Sequence, residues 1–386
     1  MKIGIICSEF HPMNAAAAAR SGSWVSLFGQ LGHEVTIFTS SQANPSQRNL
    51  IRSWFRTPSN RAPVAKRFFQ EICLGLDIAC RIILKANKTE VNVITSPPFF
   101  MASLCALACR LVGTPYIFDI RDRYPNVLFE LGLLSPSGLP GRLLLALEKI
   151  ICESSLFVST VTKGLVDDLR GITCGREPFL SCNGYSETAF QDQHLSNPPL
   201  SNFTIVYHGR LGRFYDINVL CEVIEILEKK EPGIKFLMIG ELTNLKSRKS
   251  WGTVDFMPEM PLIELASILT RCHLGICLLK ETDAMRKALP AKTFDYIGAG
   301  LPMIVSPSGE LYQTVTQRGF GLGFLKNDAK IIAHAITDLY INRNQLKTFR
   351  KNIMNDRRKY GRSNQAKDLL KKICKEIFVK SQKNSD

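Results

Sequence analysis

Short, continuous apolar runs alternate along the chain with longer stretches whose apolar residues recur every three to four positions. The runs at 3–6, 35–39, 93–95, 116–119 and 156–160 lack the in-out alternation of a sheet with one wet face. They predict parallel strands covered on both sides. The stretches 15–31, 66–86, 99–112 and 139–152 between them predict helices, so the first half reads as a βαβ series. A polar segment, DQHLSNPPLSN at 192–202, carries two prolines and no apolar period and reads as a linker. Past it the alternation resumes, with strands predicted at 204–207, 235–239, 254–256, 274–279 and 303–305. The matching helices are predicted at 217–230, 262–270, 291–299, 311–318 and 329–340.

The expected fold class is therefore α/β, with two doubly wound domains at 1–192 and 203–342 facing across a cleft, and a basic tail at 343–386 ending in a helix at 365–379. Open parallel sheets bind ligands outside the carboxyl ends of their strands. That rule puts the expected site in the interdomain cleft, which hinge motion can close.

Composition agrees with this reading and narrows the partners. The 386 residues, 45% hydrophobic and 22% charged, suffice for two cores and exclude disordered, collagen-like and low-complexity scaffolds. A formal charge of +15 predicts attraction to nucleic acid, a phosphorylated substrate or an acidic membrane face. Of the twelve cysteines, Cys73, Cys80, Cys105, Cys109 and Cys277 lie in apolar runs, and no C-x-x-C occurs. With no secretory pattern in MKIGIICSEF, buried reduced thiols in the cytoplasm are expected. The most apolar segments, 99–113 and 72–86, are interrupted by charges, so no membrane span is expected.

Several chemistries are disfavoured by what the motifs lack. The first strand exit, SEFHPMNAAAAARSG, has no G-x-G-x-x-G, although its alanines would let a ligand approach; a plain helix start explains it equally. Neither a Walker A lysine nor G-x-S-x-G appears, and the six histidines lack an i, i+4 partner, so no metal is expected.

KALPAKTFDYIGAGLPMIVS, at 287–306, is more informative. Pro290 can open a helix at its first position, placing Lys292 in the first turn and Asp295 three residues on. A helix start bearing a lysine suits a diphosphate, and the carboxylate suits ribose hydroxyls. An ordinary buried helix with solvated charges has the same spacing.

This segment resembles the signature of retaining GT-B glycosyltransferases of family 4, especially the branch building bacterial surface polysaccharides from N-acetylated amino sugars. The resemblance extends in order through PMNAAAAAR (12–20), LGHEVTIFTS (31–40), NVITSPP (92–98), FDIRDRYP (118–125), SCNGYSETAF (181–190), YHGRLG (207–212) and FLMIGE (236–241). It implies two Rossmann-like domains and transfer of a sugar from a nucleotide donor, by preference UDP, to a lipid-linked saccharide in O-antigen, capsule or exopolysaccharide synthesis.

By the same resemblance Arg210 would contact the donor diphosphate beside Gly209, with Arg213 as a further cation. Gly240 and Glu241 would border the nucleoside, Lys292 would support the phosphates, Asp295 would take the ribose, and Pro290 would lie among the donor-binding residues. Arg121 and Asp122 would face the reacting sugar, with Ala16, Arg20 and Asn183 on the acceptor side. The catalytic set is then Arg210, Lys292, Arg121 and Asp122, with no cofactor beyond the donor substrate. Three positions depart from the family pattern: Lys287 stands where many members have a Glu, Tyr215 where they have a Lys, and Arg121 near where they have a His. No carboxylate pair suited to a glycosidase nucleophile stands out. The alternatives are a nucleotide-sugar epimerase on this architecture and a non-catalytic binder of anionic surfaces.

Between Arg48 and Lys88, nine Lys/Arg face two acidic residues, with Trp54, Phe55, Phe68 and Phe69 interleaved. Cations mixed with aromatics suit the interface of an anionic membrane, although single-stranded nucleic acid uses the same ingredients and a solvated loop and helix would also show them. Peripheral attachment at the inner face of the cell membrane is expected, with no nucleic-acid partner.

Overall fold

A computed structural model describes all residues except 14, 60–61, 86–87, 131, 193–194, 196–197, 213, 243–244, 246–250 and 384–386. The chain forms two compact units, Met1–Cys182 with Gln365–Asp386, and Asn183–Asn364.

The first unit is built on a seven-stranded parallel sheet in the order β3-β2-β1-β4-β5-β6-β7. Its strands are β1 (Lys2–Ile6), β2 (Glu34–Thr39), β3 (Leu50–Arg52), β4 (Val91–Ser96), β5 (Tyr116–Ile120), β6 (Phe157–Thr160) and β7 (Phe179–Leu180). The central strands are apolar throughout because helices cover both faces. On one face the helices Val64–Leu84 and Phe99–Leu111 bury Leu74, Ile78, Met101 and Cys105. On the other, Trp24 and Phe28 of Ala16–Gln30 pack with Ala366, Leu369, Leu370 and Ile373 of Arg362–Lys383.

The second unit repeats the plan with six parallel strands in the order β10-β9-β8-β11-β12-β13. These are β8 (Phe203–His208), β9 (Ile234–Ile239), β10 (Val254–Met257), β11 (Leu274–Leu278), β12 (Met303–Ser306) and β13 (Gly321–Gly323). In both sheets the strand order reverses beside the first strand of the unit, between β1 and β4 and between β8 and β11. Those reversals are where an α/β sheet opens a ligand crevice.

The α/β fold class and all ten predicted strands are present. The unit limits differ from the expected ones: the first unit ends at Cys182 rather than 192, and the tail is divided. Asn344–Asp356 packs Leu346, Phe349 and Ile353 in the second unit, whereas residues from Gln365 on complete the first. Part of the expected linker, 193–194 and 196–197, lies outside the described residues. The twelve cysteines are free, but Cys80 is exposed and Cys73 half-buried, because the Val64–Leu84 helix turns them off its core face. Among the described residues no helix is long and apolar enough to cross a membrane.

Candidate functional site

The crevice between β8 and β11 gathers the chemistry of the second unit. β8 ends in Tyr207 and His208, the chain turns at Gly209 with φ +92°, and Arg210 follows. Across the reversal Tyr215 bridges Leu279 just past β11, and the Asp216 N–H donates to the Leu278 carbonyl at 3.0 Å. The helix Ala291–Gly298 presents its start here, with Pro290 as its cap rather than its first residue.

Lys292 reaches back under this crevice. Its Nζ lies 3.4 Å from the centroid of the Tyr207 ring and 3.9 Å from that of Tyr215, a cation–π cage. Burial lowers its pKa to about 7, against the upward pull of Cys277 and Asp295. Asp295 shows the converse: burial raises its carboxyl to about 7, although Arg362 and Lys292 oppose the shift. Its Oδ2 lies 3.6 Å from Nε2 of His208, which burial and the Lys292 charge lower to about 3, so the imidazole is neutral.

Four buried polar atoms in this cluster have no hydrogen-bond partner: His208 Nε2, Lys292 Nζ, Thr293 Oγ1 and Asp295 Oδ1. Buried polar groups are paired in nearly all proteins, so such a concentration makes this cluster the candidate ligand site of the unit.

Arg210 is held differently. Its Nε donates to Glu241 Oε2 at 3.1 Å, and both side chains are open to solvent. Its backbone joins the cluster, because the Tyr207 hydroxyl donates to the Arg210 carbonyl at 3.1 Å. The guanidinium is thus at the surface and the lysine beneath, linked through one tyrosine. Gly240, with φ +130°, follows β9, where a Cβ would fall 2.7 Å from the Gly209 oxygen; the two strand exits touch through backbone alone. Arg213 lies outside the described residues.

In the first unit the predicted residues separate into two groups. Arg121 and Asp122 follow β5 at the carboxyl edge of the sheet. Arg121 donates through Nη2 to the Pro97 carbonyl at 2.8 Å while its buried Nε has no partner, and Asp122 is exposed. Ala16 is exposed at the start of its helix. Arg20, expected on the acceptor side, is instead committed to the interior. It forks onto Asp119 at 2.8 and 3.2 Å, caps the Cys182 carbonyl at 2.8 Å and is almost wholly buried. A buried carboxylate on β5 requires such a partner, so this arginine fixes the chain's exit from the unit. Asn183 is the first residue of the second unit and half-buried.

The sequence reading missed Tyr207, His208, Tyr215 and Thr293 as members of the cluster. Tyr207 and His208 lie within the quoted YHGRLG, so the signal was present; the placement of Tyr215 against Lys292 has no local signature. Among the described residues no group of acidic, histidine and cysteine side chains is arranged to hold a metal.

Residues 202–342 match the family model described as Glycosyl transferases group 1. The match falls within the second unit and contains the whole cluster around Lys292. No curated protein matches the chain. Among solved structures, sucrose-phosphate synthase from Thermosynechococcus elongatus is similar at 16% identity and TM-score 0.73, over 98% of this chain and 99% of that one. Anabaena HepE in complex with UDP is similar at 11% identity and TM-score 0.67, over 97% and 100%. A protein named as a UDP-N-acetylglucosamine 2-epimerase, from Listeria monocytogenes, gives 12% identity and TM-score 0.59, over 98% and 96%. At these identities the likeness establishes the fold, two Rossmann-like units of the GT-B type. Domain and fold together support a glycosyltransferase.

Proposed function

We propose that the protein is a retaining glycosyltransferase that moves an N-acetylated amino sugar from a UDP-linked donor to a lipid-linked saccharide in the synthesis of a bacterial surface polysaccharide. The observation that carries this reading is the set of four unpaired buried polar atoms around Lys292 and Asp295, at the strand-order reversal of a unit that matches the glycosyl transferases group 1 model. The UDP bound by HepE supports the choice of nucleotide.

In this reading Asp295 accepts from the ribose hydroxyls, and Arg210 and Lys292 offset the diphosphate charge. The acceptor hydroxyl oxygen attacks the anomeric carbon on the face from which the diphosphate departs, and its proton passes to the departing phosphate oxygen. One C–O bond forms as another breaks, the configuration is kept, and no cofactor is consumed. The protein contributes positioning and stabilisation of the leaving-group charge, and a cation so placed is worth on the order of 10² to 10³ in rate. Arg121 and Asp122 act from the first unit, which takes the acceptor.

The exposed apolar surface supports a membrane-borne acceptor. Trp54 is 83% exposed although its backbone N–H is fixed by Asp77, and Phe69 on the adjoining helix is 67% exposed. With Arg52, Arg56, Lys66 and Arg81 nearby in sequence, these rings suit the headgroup layer of an acidic inner membrane.

The test is sugar transfer by the purified protein to a lipid-linked acceptor. Arg210→Ala and Lys292→Met are expected to lose activity on that scale with melting temperature retained; turnover near that of the unsubstituted protein in either would overturn the assignment. Similarity to the epimerase-named structure keeps one other reading in view. An epimerase would convert or release its donor equally with and without acceptor, whereas a transferase releases UDP only with it.

A further inference from the structure

A second charged site lies within the first unit. A groove of about 500 Å³ opens between the edge strand β7 and the helix Arg362–Lys383. Phe179 and Leu180 line it on the strand side, and Gln365, Lys371, Lys372 and Lys375 on the helix side, against a single carboxylate, Asp368. Cys182 also lines it, and its N–H donates to Gln365 Oε1 at 2.9 Å. The residues at which the chain leaves this unit and re-enters it thus both border the groove.

Lys371 and Lys375 are poorly compensated. Lys371 meets Asp368 at 3.4 Å, with both side chains mostly in solvent, a geometry of little energetic value. Lys372 pairs with Glu376 on the next turn and stands 5.7 Å above the Phe157 ring. Lys375 makes no ion pair among the described residues. Lys371 and Lys375, one turn apart on the same wall, repel each other with little compensation, and a multiply charged anion relieves both, with Lys372 beside them. Lysine binds phosphate as a point charge. The volume matches a small-molecule site and exceeds what a lone ion fills.

We propose that this groove binds a ligand carrying two or more phosphate charges, held by Lys371, Lys372 and Lys375. The charges come from either a free phosphate compound or a phospholipid headgroup. The site is independent of glycosyl transfer, so its fate leaves the reading of the Lys292 cluster untouched.

The experiment is lysine acetylation of the full chain, quantified residue by residue by mass spectrometry. It is run with and without inorganic pyrophosphate, and separately with phosphatidylcholine vesicles containing or lacking phosphatidic acid. A severalfold slowing at Lys371 and Lys375, with exposed Lys230 and Lys347 unchanged, supports the site. Protection by pyrophosphate assigns a free compound, and protection by the acidic vesicles alone assigns a headgroup. The double substitution Lys371→Glu with Lys375→Glu is expected to abolish protection at Lys372 while the melting temperature holds. Equal labelling with and without both probes, or equal protection of the control lysines, overturns the proposal.

Discussion

In the proposed function donor binding turns on Lys292, whose amine burial leaves balanced near neutrality. A diphosphate arriving beside it favours the charged form and raises the pKa again. At pH 8, where the free protein holds this amine mostly deprotonated, UDP binding is therefore accompanied by proton uptake. Calorimetric titrations in buffers of different ionisation enthalpy measure it. The apparent heat should vary with buffer, and Lys292→Met should remove that variation; heats independent of buffer would contradict the placement of the phosphates.

A second residue-scale effect concerns Glu148. Burial raises its carboxyl to about 7 against the opposing charge of Arg123, whose Nε lies 3.7 Å away, and neither carboxyl oxygen has a hydrogen-bond partner. Between the ordinary Glu value and about 7 the folded state keeps a proton that the unfolded chain has released. Stability therefore falls as pH rises through that window and stays low above it. Glu148→Gln should flatten this slope and stabilise the protein at pH 8 by up to about 3 kcal/mol. Thermal unfolding at pH 5 and pH 8 checks it; a variant less stable at pH 8, with the slope unchanged, refutes it.

The places of Arg210 at a strand exit and of Lys292 and Asp295 at a helix start were legible because these are local features; the roles given to them belong to the proposal. Arg20 was misread for the complementary reason: its partner Asp119 lies on another strand, and nothing near Arg20 announces it.

At the scale of elements, the long buried strands announced themselves by unbroken apolar runs. The edge strands β3, β7 and β13, of two or three residues, did not: they are too short for any periodicity and exist because a formed neighbour offers them a ladder. Helix limits agreed to within a turn, since the apolar stripe rather than the cap residue sets them; most helices here, among them Ala16–Gln30 and Val64–Leu84, lack a side-chain cap. The Val64–Leu84 helix also has an outer face to account for. Arg81 sits 5.6 Å from the Trp54 ring and is fixed by Asp77, so the tryptophan is held outward rather than folded down. Trp54→Ala with Phe69→Ala should cut sedimentation with acidic vesicles severalfold without changing the melting temperature. Unaltered sedimentation would remove this face from the membrane.

For the whole molecule the consequential feature is the divided tail, which the pattern of charges along 343–386 concealed. Removal of residues 365–386 strips Ala366, Leu369, Leu370 and Ile373 from the first core. Each buried Leu or Ile is worth about 1.5–3 kcal/mol, so the loss approaches the stability of a typical domain, about 5–15 kcal/mol. The truncated chain should keep the cooperative unfolding of the second unit and lose that of the first, as calorimetry would resolve. Two intact transitions would show the terminal helix to be dispensable.

The same arrangement sets an order of events during synthesis. The segment that leaves the ribosome first cannot close its hydrophobic interior until residues 366–373 have also emerged, whereas the segment between is contiguous and contains everything its own interior requires. The half made first is thus completed last, with one face of its sheet uncovered while the half behind it folds.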